Sequence, residues 1–411
     1  MTTAPGIPDG RPATVRAEAV VDLDAVAANT RLLLDRVRRT NPAGGLMAVV
    51  KADGYGHGAV PCARVAVRAG ATHLGVATPD EALALRAAGI TAPVAAWLWP
   101  AGQDIAAALV GGVELGVSSL AHLDAVLAAS AGPARTPVRP RIHLKIDTGL
   151  GRNGVGPADL AAVADALAAA IRADRVTLAG TMSHLACADE PGNESVAAQT
   201  AAYRDAVAVL QGRGIDPGLL HLANTPGVLD HPETIFDLGR CGIGLYGLDP
   251  LGGARGPQGL RPAMTLRSTV ALTKRVPAGF GVSYGLTWRP ERETTLALVP
   301  VGYADGLPRA AGNSASVLVV GRDGRGRRYR VVGRVAMDQL VLHCGDDDVT
   351  AGDGVLVFGP GDHGEPSAAE LAAACGTIDY EIVTRIGPRV PRRHLRQNEH
   401  PVERRAEGRT R

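Results

Sequence analysis

The sequence predicts an α/β chain in two parts: an N-terminal (β/α)8 TIM-like barrel over residues 14–255 and a C-terminal, mainly antiparallel β-domain over residues 256–395. Three observations carry this. Eight short apolar runs alternate with helical segments up to about residue 240, the pattern of a parallel sheet closed by crossover helices. Past a Pro- and Gly-rich stretch at 250–262 the runs become short and alternating, parted by Gly, Asp and Pro, as antiparallel strands are. The 411 residues exceed one ordinary domain and suit two. An open doubly wound sheet is the competing arrangement, but no G-x-G-x-x-G opens a helix in the required context.

Taken in order, residues 1–13 are dominated by Pro, Gly and Thr without a period and are expected to be disordered. Residues 17–23 predict a short strand, and from Asp24 the pattern turns helical. Val26, Thr30, Leu33 and Val37 share one face, and Asn41, Pro42, Gly44 and Gly45 stop it. The eight barrel runs are 46–50, 73–77, 94–98, 113–117, 142–146, 176–182, 219–223 and 234–238. Between them lie helices with recognisable starts: Asp80 before EALALRAAG, Ser118 and Ser119 before LAHLDAVLAA, and Pro157 near the first turn of ADLAAVADALAAAI. The β-domain runs are 264–273, 294–301, 315–320, 328–335, 340–343 and 354–358, with a helix at 367–375. A charged tail closes the chain at 396–411 and suits a solvated segment better than a nucleic-acid arm.

Composition narrows the function. Aromatic residues make up 3%, so the core must rest on Ala, Val and Leu. A formal net charge of +2 without a basic stripe points away from nucleic acid. No uninterrupted apolar run approaches the ~18 residues a membrane span needs, and the polar N-terminus lacks the apolar core of a secretory signal, so a cytoplasmic protein is expected. The 5 cysteines contain no CxxC pair and build no metal cage.

Chemistry gathers where a barrel puts it, at the C-terminal ends of the strands. Lys51 follows the first run, at the head of a turn with glycines at 54, 56 and 58 and with Tyr55 and His57 between them. A lysine delivered to such a turn by a buried strand suits amine chemistry, because partial burial or nearby cations lower its pKa. His184 follows the sixth run, Asn224 and Thr225 follow the seventh, and Arg240 is expected to end the eighth, just before Cys241-Gly242-Ile243-Gly244. Each alone reads as a packing histidine, a helix cap or an ion-pair partner; together they read as a site. Glycine N–H groups and a hydroxyl suit a phosphate, which fits Gly242, Ile243 and Thr225 with Tyr55 beside them. Alternation in Ile142–Asp147 carries Lys145 into the barrel, where an unpaired ammonium is costly; an ion pair to a carboxylate would relieve it, and a neutral amine there can react with carbon dioxide.

The stretch V-V-K-A-D-G-Y-G-H-G resembles the pyridoxal-phosphate signature of alanine racemases. LKIDTGLGRNGVG, DLGRCGIGLYGL, GVSYGLTW, VPVGYADGLPR, VGRVAMDQL and TIDYEIVTRIGPRVPR resemble further motifs of that family, so the likeness spans about residues 15–395. It implies an alanine racemase, an isomerase interconverting L- and D-alanine with pyridoxal 5'-phosphate on Lys51 and supplying D-alanine for peptidoglycan. It implies a phosphate held by Tyr55, Thr225, Gly242, Ile243 and Tyr380, with His184 and Asn224 at the cofactor. Arg240 resembles the arginine at the pyridine nitrogen. A guanidinium cannot accept a proton from that nitrogen, which favours return of the proton to Cα over transamination.

The same resemblance implies a carbamylated Lys145 that orients Arg152 at the substrate carboxylate. It puts Tyr303, Met337 and Asp338 at the substrate entrance. Lys51 serves one face of Cα and Tyr284, from the partner subunit of a homodimer, serves the other. A phenol has a pKa of about 10, so Tyr284 needs help to act as a base, for which His184 and Arg240 are candidates. Two departures stand out: Thr225 where the family usually has serine, which keeps the hydroxyl, and Ala336 where it often has cysteine. The competing enzyme readings are a racemase of broader specificity and a related decarboxylase, the latter disfavoured by Arg240. A cofactor-binding homeostasis protein would lack the β-domain.

Overall fold

A computed structural model of the chain describes residues 16–131, 139–252 and 258–396. The expected disordered start, part of the linker and nearly all of the charged tail lie outside these residues.

The barrel strands are β2 (Gly45–Val49), β3 (His73–Val76), β4 (Val94–Ala96), β5 (Val113–Val117), β6 (Arg141–Lys145), β7 (Thr177–Met182), β8 (Leu219–His221) and β9 (Leu238–Cys241). They are parallel, in the order β8-β7-β6-β5-β4-β3-β2-β9. No continuous ladder joins β8 to β9. Closure there rests on Asp237 N donating to Leu220 O and Arg240 N to Ala223 O, both at 2.9 Å. All five residues of β2 are buried, as expected of a strand covered on both faces. On the helix Leu23–Thr40 the predicted stripe faces the core: Val26, Thr30, Leu33 and Val37 are all 0% exposed.

The second sheet has nine strands. These are β1 (Ala17–Asp22), β10 (Met264–Thr269), β11 (Leu272–Val276), β12 (Thr294–Val299), β13 (Ser316–Val320), β14 (Gly326–Val331), β15 (Leu340–Gly345), β16 (Gly354–Phe358) and β17 (Arg392–Leu395), ordered β11-β12-β15-β14-β13-β16-β10-β1-β17. Among the described residues only the β1–β17 pair of this sheet is parallel.

Three differences from the sequence reading matter most. β1, expected on the barrel side of the boundary, pairs with β10 in the second sheet, Ala19 opposite Leu266. The barrel is complete without it, and Asp22 caps the following helix by accepting from Asp24 N and Ala25 N, so the chain passes straight from one sheet into the other domain. The eighth barrel strand lies at 238–241 rather than 234–238. Pro232–Thr234 forms a 3-10 turn, closed by Thr234 Oγ1 donating to His231 O at 2.7 Å. Arg240 therefore sits within the strand, fully covered, rather than at its end. The run at 264–273 is two strands, β10 and β11, which are not neighbours in the sheet.

Arg16 ties the start of β1 to the far part of the β-domain. Its guanidinium grips the fully buried Asp305 at 2.5 and 2.8 Å. Burial pushes the Asp305 carboxyl up, but the Arg16 hydrogen bonds, the Gly302 N–H and the Arg389 charge outweigh it, leaving the pKa lowered. Arg16→Ala leaves a buried carboxylate with only Arg389, at 3.6 Å, as a cationic partner. It should destabilise the fold by about 3 kcal/mol, read from the urea midpoint.

Candidate active site

Lys51 leaves β2 into a backbone that few sequences adopt. Ala52, Asp53, Gly54 and Tyr55 have φ of 51°, 51°, 64° and 52°, a single turn of left-handed helix. Each of the three that carries a Cβ costs about 1–2 kcal/mol there. Two carboxylates hold the turn. Glu81 accepts from Ala52 N at 2.7 Å while its other oxygen accepts from Ala77 N and Thr78 N. Asp53 accepts from Ala59 N at 2.8 Å. Within the turn Gly54 N bonds Val50 O, and Gly58 N bonds Asp53 O. The fixed turn aims the Lys51 amine into a cavity of about 300 Å³ at the mouth of the barrel.

That cavity is lined by Lys51, Lys145, Arg152 and Arg240, and no carboxylate is among its lining residues. The Lys51 pKa is lowered by burial and by the Arg152 charge, against a smaller opposing effect of Glu81. Burial, then Arg240 and Arg152, bring the Lys145 amine down to about 8. Among the described residues it has no ion pair, so the expected alternative of a lysine–carboxylate bridge is absent here. His184 is kept neutral by burial and then by the surrounding Arg240, Arg152, Lys145 and Lys51 charges.

Arg240 is held from below. One terminal nitrogen donates to His221 O (2.6 Å) and His221 Nδ1 (3.3 Å); the other donates to Ser183 O (2.5 Å), Leu222 O (3.2 Å) and His184 Nδ1 (3.3 Å). Nε makes none of these bonds. A guanidinium so fixed presents a donor and no acceptor.

The opposite side of the cavity is built for close approach. Gly242 N donates to Thr225 Oγ1 at 3.2 Å, and Thr225 opens a short helix capped by Asn224, which accepts from Gly227 N. A Cβ on Gly242 would meet the Tyr55 hydroxyl at 2.2 Å, so any larger residue would have to displace that phenol. Tyr55 and Tyr380 lie with ring centroids 6.3 Å apart, and burial pushes both phenols up, so they act as neutral donors. Ile243 begins the 3-10 turn Ile243–Tyr246, whose first N–H groups have no partner along the helix.

The structure thus gathers Lys51, Tyr55, Lys145, Arg152, His184, Asn224, Thr225, Arg240, Gly242, Ile243 and Tyr380 at one cavity. It does not bring Tyr284, Tyr303, Met337 or Asp338 to that cavity within one chain. Tyr284, Tyr303 and Met337 are 72%, 39% and 52% exposed, and Asp338 pairs with Arg389 at 2.8 Å. Sequence reasoning missed Trp97, Val49 and Met182 in the wall and Glu81 beneath the turn. The helix expected to start at Asp80 is capped by a Thr78–Glu81 box, and the reach of Glu81 across to Ala52 joins residues far apart in sequence.

The residues of this cavity can hold an anionic aldehyde cofactor: an amine of lowered pKa, three further cations, a glycine floor under two phenols and a free Arg240 N–H. Comparison with known proteins agrees. Residues 21–250 match the N-terminal domain of alanine racemase, and residues 263–394 match its C-terminal domain. The alanine racemase of Thermobifida fusca is 52% identical over 376 residues, covering 92% of this chain and 97% of that protein. The structure of alanine racemase from Streptomyces lavendulae, a D-cycloserine producer, is 50% identical, with a TM-score of 0.87 over 93% of this chain and 97% of that one. Alanine racemase from Bartonella henselae, solved with covalently bound pyridoxal phosphate, is 27% identical with a TM-score of 0.81, covering 92% and 99%. Two matched domains in the same order, near-complete coverage and a shared fold make this chain a member of the alanine racemase family of isomerases.

Proposed function

We propose that the chain interconverts L- and D-alanine with two bases, Lys51 and the Tyr284 of a second copy, on a pyridoxal 5'-phosphate joined to Lys51. The observation that carries this reading is the Lys51 amine of lowered pKa in a cavity that Arg152, Arg240 and Lys145 also line, with no carboxylate among its described lining residues. Such a cavity asks for a phosphate and a carboxylate together. When bound, pyridoxal phosphate supplies an electron-withdrawing ring that makes the Cα–H of a joined amino acid removable. Thr225, Gly242, Ile243, Tyr55 and Tyr380 would hold its phosphate, with Asn224 fixing the helix start beneath. Arg240 would present Nε to the ring nitrogen without being able to take or lose a proton there.

Each remaining residue then has a task. Lys51 takes the proton from D-alanine. Arg152 meets the substrate carboxylate, oriented by Lys145 as a carbamate; the neutral amine forms an N–C bond to carbon dioxide and releases a proton. Tyr284 takes the proton from L-alanine. Because Arg240 donates to His184 Nδ1, the neutral ring carries its proton on Nε2 and can donate to the Tyr284 phenolate, which lowers the cost of ionising it. Tyr284 is exposed in its own chain, as are Phe280, Leu286, Tyr303 and Met337 of the same domain, apolar surface suited to a homodimer that completes each cavity with the other chain's Tyr284, Tyr303, Met337 and Asp338. Such an enzyme would supply D-alanine for peptidoglycan.

Lys51→Ala should remove both turnover and the near-visible absorbance of the lysine-bound cofactor; an unchanged spectrum in the variant would end this reading. For Tyr284→Phe, kcat/KM must fall equally for both enantiomers, because L- and D-alanine have equal free energies. The fall should be about a hundredfold or more. The asymmetry appears in heavy water: D-alanine should still exchange its Cα proton through Lys51 without inversion, whereas exchange from L-alanine is lost. Exchange kept from L-alanine and lost from D-alanine would reverse the assignment, and equal exchange from both would refute it. The carbamate requires the neutral Lys145 amine, so its occupancy should fall as pH drops below about 8. A carbon-13 NMR signal from labelled bicarbonate, absent in Lys145→Ala, would report it; a pH-independent signal would count against this site.

A further inference from the structure

Among the described residues no carboxylate contacts the buried Arg240 cation, yet a chain of hydrogen bonds leads from it across the barrel interior to one. Its terminal nitrogen donates to His221 Nδ1 at 3.3 Å; His221 Nε2 meets His143 Nδ1 at 2.9 Å; His143 Nε2 meets Glu114 Oε2 at 2.7 Å. The four residues lie on β9, β8, β6 and β5, and each is at most 4% exposed. The chain passes over β7 where Gly180 stands. A Cβ there would come within 2.7 Å of His143 Nδ1, in the gap that the histidine pair occupies. The outer Glu114 oxygen accepts from Arg141 Nε at 2.7 Å.

The proton order in this chain is forced from one end. Arginine only donates, so His221 Nδ1 must accept, which leaves its proton on Nε2. That proton points at His143 Nδ1, which must also accept, leaving the His143 proton on Nε2 and aimed at Glu114. A doubly protonated ring at either place would set donor against donor. Every N–H therefore points from the active site toward the carboxylate, and both imidazoles are neutral. Glu114 is the one acid at the end of this line, and hydrogen bonds in series within a low-dielectric interior polarise one another toward it.

We propose that Glu114, acting through His143 and His221, is a positioning residue for Arg240, holding the guanidinium in place as a donor to the cofactor ring nitrogen. This rests on the functional reading above. Without the line to Glu114, Arg240 keeps its carbonyl partners but loses the counter-charge that fixes it in the barrel. A loosened guanidinium would admit other proton donors to the ring nitrogen of a bound cofactor, which would make that ring a stronger electron sink. More turnovers then end in transamination: the alanine amino group and the cofactor aldehyde oxygen change places, two electrons pass from Cα to the aldehyde carbon, and pyruvate leaves.

The test uses the cofactor-loaded, full-length protein, labelled with nitrogen-15 in histidine. In the wild-type chain His143 and His221 should both appear as neutral rings protonated on Nε2; a proton on Nδ1 of either would overturn the proposal, with no variant needed. Glu114→Gln should keep the cofactor absorbance, shift the His143 ring N–H resonance upfield and lower kcat about tenfold to a hundredfold with little change in KM. It should also raise pyruvate formed per racemisation several-fold, with Glu114→Asp intermediate. A merely structural role would lower stability and turnover but leave that pyruvate share at the wild-type value, which would refute the proposal. A wild-type chain that took up no cofactor would instead sink the functional reading, and the ring-proton measurement would still decide the hydrogen-bond order.

Discussion

Uncompensated positive charge at the mouth of the barrel is the constraint around which this molecule is built. Lys51, Lys145, Arg152 and Arg240 line one cavity, and no carboxylate is among its lining residues. Like charges in a partly buried space repel strongly, and each cation loses hydration on entering it. The consequences are visible in the groups themselves: both lysine amines are easier to deprotonate than in water, and His184 is held as a neutral, singly protonated ring. The same repulsion that destabilises the empty cavity favours a ligand with two anionic ends.

The surrounding architecture offsets that cost locally. Glu81 and Asp53 are spent on backbone N–H groups of the left-handed turn, so they hold Lys51 in place without neutralising the cavity. Asp147 does likewise for the loop leading to Arg152, accepting from Gly149, Leu150 and Gly151 N–H groups. Arg240 is satisfied by carbonyls and by the line of imidazoles to Glu114. Acids are thus kept one layer behind the cations. They shape the site while the field inside it stays positive.

The two domains are joined by more than the linker. β1 precedes the barrel in sequence yet lies between β10 and β17 in the second sheet, and Arg392 donates to Gly56 O beside the Lys51 turn. Gly56 could not carry a side chain there, since a Cβ would meet Val383 O at 2.3 Å. The C-terminal sheet therefore braces the turn that presents Lys51 from behind, and Tyr380 from the same domain completes the cavity wall.

The class of fold and most of the cavity were already written in the residue order. Period-2 and period-3.6 patterns are local, and in a barrel every strand ends on the same face, so residues just after the apolar runs had to converge. Lys51, His184, Thr225 and Gly242 were legible for that reason. What local pattern could not supply was decided by tertiary structure. The strand that carries Arg240 starts four residues later than its apolar run suggests, because a 3-10 turn takes up Thr234. The left-handed turn at 52–55 exists because Glu81, nearly thirty residues on, meets its N–H. The polar line from Glu114 to Arg240 spans five strands, four of which contribute one side chain that reads alone as an ordinary buried polar residue. Hydrogen bonds between residues distant in sequence have no period, and only the closed barrel brings their ends within reach.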